Sequence, residues 1–285
     1  MSGILRTMVA AALSRFCWLP LLCCALAAQT PAPGGGTTPP APPAVQDPAL
    51  PDLLKDLKSL VADPKMAGDF QAIGLIQKLA KEPETRHPKD KERLAKAFGE
   101  VFRTGKLRPA EKAHVYEEAG QALGKFGEDG AKELAKVVGD NRFKDHQPLR
   151  AKLLLEIGRT QDEKQAELLL NEASRSPHDE IRGAGGEALG LYDDMDLKLR
   201  REVVKSLVRD WGSLHSQATR PIGNDPQTQF DPGPQNAQRT LRVVEDKWRA
   251  TLSKLTGQNL STFPDWQRWL NKNGNWTPPG ATKKA

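Results

Sequence analysis

Cysteine is nearly missing from this chain of 285 residues: Cys17, Cys23 and Cys24 are its only three, all near the start. Beyond Cys24 neither a disulfide nor a thiolate metal site can form, so a folded part there must rest on its apolar core. Aromatic residues make up 6% of the chain, and only two are tyrosine. No window alternates apolar and polar residues over several positions and β-branched runs are absent, which excludes strands as the main element. No apolar run reaches the ~20 residues that a bilayer-spanning helix needs. The formal charge of +6 is mild for this length, well short of the concentrated basic stripe of a dedicated nucleic-acid binder. No G-x-S-x-G, H-E-x-x-H or P-loop is present. Gly183-Ala184-Gly185-Gly186-Glu187-Ala188 formally matches a dinucleotide fingerprint, but that fingerprint needs a strand and a turn before it, and these glycines fall inside a helix.

What the chain does contain begins with a leader. Arg6 and Arg15 precede a nearly apolar run from Phe16 to Ala28 that ends in Ala25-Leu26-Ala27. A positive start, a short apolar stretch and small residues at a cleavage position predict a signal peptide over 1–28, cut near Ala27/Ala28, and an extracytoplasmic mature protein, periplasmic or secreted. Removing its two arginines takes the net charge from +6 to +4. Residues 29–49, rich in proline, glycine and threonine, predict a disordered linker.

From there the pattern is helical. Leu53, Leu54, Leu57, Leu60 and Val61 share one face of a helix that Pro64 ends, and Phe70, Ile73, Ile76 and Ala80 form a second stripe closed by Pro83. Pro88 opens a third helix, lined by Leu94, Phe98, Val101 and Phe102 and stopped by Gly105. A phrase then appears three times. A helix ends on an apolar residue plus glycine at Leu123-Gly124, Ile157-Gly158 and Leu189-Gly190, and a short polar turn opens another apolar helix. The glycines are 34 and 32 residues apart. A fixed period of this size predicts stacked helix pairs, since one pair cannot bury its apolar face without a neighbour. Ser176-Pro177-His178-Asp179 reads as an N-cap serine, an N1 proline and an acid at the positive end of the helix dipole. Gly183, Gly185 and Gly186 inside that helix would weaken it unless neighbours approach closely.

The stretch Asp179-Glu180-Ile181-Arg182-Gly183-Ala184…Ala188-Leu189-Gly190 resembles the second-helix signature of HEAT-like repeats, with a looser copy from Gln147-Pro148-Leu149-Arg150 to Ile157-Gly158 and one looser still around Leu123-Gly124. The short period is similar to the HEAT-like type of phycobilin lyases. The resemblance implies an all-α fold, an α-solenoid of stacked antiparallel helix pairs over 50–211, in which Asp179, Arg182 and the related Arg150 tie neighbouring repeats together. Tyr116 stands where the first copy would have its arginine, and the second copy lacks the acid. Leu255-Thr256-Gly257-Gln258…Trp266…Trp269 is similar to a tail found on exported bacterial HEAT-repeat proteins of unknown role.

Residues 212–236 read as a long proline- and glycine-rich loop, and loops of that length are usually functional or disordered. Arg220, Gln227, Gln229 and Phe230 are its candidate partner contacts. Residues 237–274 predict two capping helices in which Trp266 and Trp269 pack onto the stripe of Trp248, covering the last apolar face. Residues 275–285 read as a disordered tail. His114, His146 and His178 recur every 32 residues, but helices packed ~8–10 Å apart hold one histidine each too far from the next to share a zinc ion at ~2.0–2.1 Å. No cofactor, metal ligand set or catalytic residue is assigned. The leading reading is a monomeric scaffold that binds another protein rather than nucleic acid and carries no membrane-spanning segment once its leader is removed. The competing readings are a lyase-like or chromophore-handling enzyme of the phycobilin-lyase type and a nucleic-acid binder with a HEAT-like surface, as in alkylpurine DNA glycosylases.

Overall fold

The computed structural model describes residues 45–220 and 232–278. Among them the chain forms helices joined by turns, with no strand. The signal peptide, most of the linker, Gln227, Gln229 and Phe230 lie outside the described residues.

Helix α1 (Leu50–Ala62) starts three residues earlier than the Leu53 stripe suggests and buries Leu50, Leu57 and Val61. Just before it, the backbone N–H of Asp47 donates to Asp90 Oδ2 at 2.9 Å, which fastens the last residues of the expected linker to the fold. Helix α2 spans Asp69–Leu79, and α3 spans Pro88–Val101 with His87 accepting from Lys89 N as its cap. Gly105 lies beyond α3 with φ 72°, a region where glycine carries no Cβ penalty.

The three glycine-ended copies are α4 (His114–Leu123), α6 (Gln147–Arg159) and α8 (Asp179–Leu189). They alternate with α5 (Gly127–Val138), α7 (Ala166–Arg175) and α9 (Leu197–Ala218). Leu123, Ile157 and Leu189 are each fully buried. The N-cap of α8 is His178 rather than Ser176, whose hydroxyl instead accepts from His178 N within the turn.

Two rows of helices follow from the packing. Helices α2, α4, α6, α8 and α10 (Gly233–Thr256) each touch the next in that order, and α1, α3, α5, α7 and α9 lie against them. Pairing differs in phase from the sequence reading. Besides their neighbours in the row, α8 packs on α7 before it and α6 on α5, more than either packs on the helix that follows it. Helices α4 and α5 do touch across the turn after Gly124, but α4 packs more closely on α3.

The expected loop over 212–236 is shorter. Helix α9 continues through Gly212 to Ala218, because Trp211, Leu214 and Ala218 extend its buried stripe, and α10 already begins at Gly233. Gly212 is tolerated there since Phe263 packs over it, within 2.7 Å of where a Cβ would lie. Helix α10 ends at Gly257 with φ 71°, and Thr262 caps α11 (Phe263–Lys272).

Candidate functional site

The residues singled out in the sequence occupy joints between helices. At each repeat glycine a Cβ would overlap the next helix of the same row: Gly124 faces Glu156 on α6, Gly158 faces the Ala188 backbone on α8, and Gly190 faces Thr251 on α10. Glu156 and Ala188 each stand two residues before the following repeat glycine. One notch therefore recurs in register along the row. The glycines inside α8 serve the same close approach. A Cβ on Gly185 would lie 2.9 Å from Ala173 N on α7, and one on Gly186 would collide with the indole of Trp248.

Asp179, Arg182 and Arg150 make separate ties. Asp179 accepts from Arg239 Nε at 2.9 Å and Thr240 Oγ1 at 2.7 Å, both on α10. Arg182 turns the other way and donates from Nε to the Ala173 carbonyl of α7 at 3.1 Å; burial makes its guanidinium less basic than usual. Arg150 donates to Glu172 of α7 at 3.2 Å.

The tryptophans do not form the single cluster expected of them. Trp248 is fully buried against the α8 glycines and donates to the Arg182 carbonyl at 3.3 Å. Trp266 and Trp269 lie on α11, which packs against α9. Trp266 donates to Leu260 O, and Trp269 stacks edgewise on it at 5.9 Å between ring centres. The glycine groove of α8 takes the Trp248 ring first, and a stripe match cannot reveal that competition. The start of the expected disordered tail is held in the fold, since Arg201 donates to the Asn275 and Trp276 carbonyls at 2.6–2.9 Å; residues 279–285 lie outside the described residues. Arg201 is thus a tether.

Arg220 is exposed at the end of α9, with its backbone N–H donating to Gln217 O. Three cavities open elsewhere. One of 500 Å³ lies where α6, α7 and the turn before α8 meet, and its wall includes Lys144, Asp145, Arg150, Arg175 and His178. A second, of 340 Å³, has Met66, Leu107 and Pro109 for its apolar wall and Lys106, Lys112 and His146 beside them. A third, of 170 Å³, is an apolar crevice between α1 and α3. His146 and His178 therefore line different cavities, and no group of three or more histidine, cysteine, aspartate or glutamate side chains among the described residues is placed to hold a metal ion. Ser176, His178 and Asp145 all line the 500 Å³ cavity, but the hydrogen bond between the first two runs from the His178 backbone N–H to the Ser176 hydroxyl, not from the imidazole.

Sequence reasoning missed two features. Arg108 is fully buried between α3 and α4, donating to Asp69 at 2.6 and 2.7 Å and to Val61 O at 3.0 Å, with its guanidinium 5.3 Å from the Tyr116 ring centre. Nothing in the spacing of Asp69 and Arg108 announces that pair. The second is a seam of turns. Gln161, at φ 61°, donates to Leu191 O at 2.9 Å and accepts from Asp193 N at 2.8 Å, while Tyr192 donates to Asp162 O at 3.0 Å. Burial pushes the Tyr192 phenol well above its usual range.

Comparison with protein-family models, with curated proteins and with solved structures found no match.

Proposed function

We propose that this chain is an exported α-solenoid of HEAT-like helix pairs that serves as a scaffold for another protein. The observation that carries this reading is the repeated notch at Gly124, Gly158 and Gly190, each receiving the next helix of its row. A register that repeats between neighbours builds an extended, preformed surface, which is what repeat proteins present to their partners. The sequence of residues 1–28, which fits a leader that directs export, supports the exported part of the reading. Asp179 and Arg182 fill the tying roles that the resemblance implies, one toward α10 and one toward α7.

The test is chemical crosslinking of the purified protein in a cell-envelope extract, beside a variant whose residues 221–231 are replaced by a glycine–serine linker. A reproducible crosslinked partner is expected for the parent, with capture reduced in the variant. Equal capture by both removes Gln227, Gln229 and Phe230 from the contact surface. A parent that crosslinks to nothing sinks the scaffold itself. Export is tested apart from binding, by fusing residues 1–28 to a phosphatase active only outside the cytoplasm; an inactive fusion refutes it.

A further inference from the structure

We propose that the 500 Å³ and 340 Å³ cavities, on either side of the turn Lys144–Asp145–His146, form one groove for an extended peptide segment of a partner protein, with acidic side chains next to an apolar one. This rests on the scaffold reading and names the chemistry of the partner. The three consecutive turn residues form a shared wall: Lys144 and Asp145 line the larger cavity, and His146 lines the smaller.

The charge of the groove comes from which groups are already paired. Carboxylates around it are largely committed within the fold. Asp69 is held by Arg108, Asp140 accepts from Arg142 N, Glu172 accepts from Arg150, and Asp179 binds Arg239 and Thr240. The cations are not. The side chains of Lys144 and Arg175 in the larger cavity, and of Lys106 and Lys112 in the smaller, are exposed and have no hydrogen-bond or ion-pair partner among the described residues. The buried Nε of Arg150 is likewise unpartnered. Asp145 is the one uncommitted acid in these walls. Cations facing carboxylates give charge-assisted hydrogen bonds, with Arg175 offering a planar fork.

The smaller cavity adds what charge alone lacks. Met66, Leu107 and Pro109 form an apolar wall ringed by lysine stems, fit for an aliphatic or aromatic side chain. A nucleic-acid backbone fits less well, because the apolar wall of Met66, Leu107 and Pro109 offers a phosphate chain no partner. Asn171, Ser176 and His178 supply neutral donors and acceptors suited to peptide amides.

The experiment is selection of a random peptide library displayed on phage against the purified full chain. A fluorescent synthetic copy of the enriched peptide is then titrated by anisotropy. Enrichment of Asp or Glu beside Leu, Ile, Met or Phe is expected, with binding weakened about tenfold or more by Lys144→Glu/Arg175→Glu and by added salt. Both side chains are exposed, and the neutral pair Lys144→Gln/Arg175→Gln should weaken binding less than the reversal does. Lys55→Glu, on α1, should leave it unchanged. Enrichment of basic or uncharged peptides overturns the proposal, as does equal binding to parent and charge-reversed protein. Displacement of the peptide by an equal concentration of single-stranded oligonucleotide also overturns it, by making the groove a phosphate site. If the charge-reversed protein still crosslinks its envelope partner, the groove fails while the scaffold stands.

Discussion

Single residues set how closely the helices approach. Gly158 meets backbone atoms of Ala188, which cannot swing aside, so Gly158→Ala should cost about 1–3 kcal/mol as α6 and α8 are forced apart. Gly74, in the exposed face of α2, has nothing within 4 Å of its Cβ position, and alanine there should add about 0.5–1 kcal/mol. Urea denaturation followed by circular dichroism reads both, and equal shifts would deny the notch its structural role. Glu156 yields a pH prediction. Burial raises its carboxyl pKa above the ordinary 4.5, against the pull of Arg159 and Lys125. Its proton therefore favours the folded state, fully below 4.5, and that contribution is lost as pH rises through the raised value. Glu156→Gln keeps the side chain neutral, so its stability relative to the parent should grow from near zero in acid to a clear gain at neutral pH. A difference that shrinks with rising pH would contradict the assignment. None of this was legible in the spacing. Glycine at 124, 158 and 190 was readable as a helix end, but its partner across the row was not, because that contact belongs to two helices at once.

At the scale of elements, α11 is the cover of α9. Phe263 lies over Gly212 and 6.3 Å from the Trp211 ring centre, and Trp266 is fully buried. Ending the chain after Gly257 should uncover Trp211 and Leu214, lower stability by about 3 kcal/mol or more, and raise the fluorescence of a dye that binds apolar surface. An unchanged dye signal would mean that α9 needs no cover. Turns carry electrostatic ties as well. Glu128 on α5 is held down to about 2 by Lys164 and Lys132, so its contribution is present above 4.5 and lost as pH falls toward 2. It is exposed, so salt should weaken it. Some helix starts were readable: Pro88 opens α3 as a first-turn proline should. The end of α9 was misread because proline and glycine after Thr219 drew attention away from Trp211, Leu214 and Ala218, which continue its apolar face.

At the scale of the whole described fold, contacts run mainly between neighbours in the two rows, so damage at one end should not spread uniformly. Asp69→Ala would strand the buried Arg108 guanidinium near α1 and α2, and Trp248→Ala would empty the α8 groove, each at about 3–5 kcal/mol. Hydrogen exchange should show loss of protection concentrated in α2–α4 for the first and in α8–α10 for the second. A uniform loss in both would indicate one cooperative block instead. The sequence alone determined that the chain is helical, where some helices begin, and which apolar residues recur, since these depend on backbone preference and periodicity within one segment. Tertiary structure alone decided which helices pair, that Arg108 meets Asp69, that Trp248 enters the glycine groove, and which cations stay unpaired. Those outcomes are set by competition for shared space and charge between segments far apart in the chain, and no local pattern records who wins.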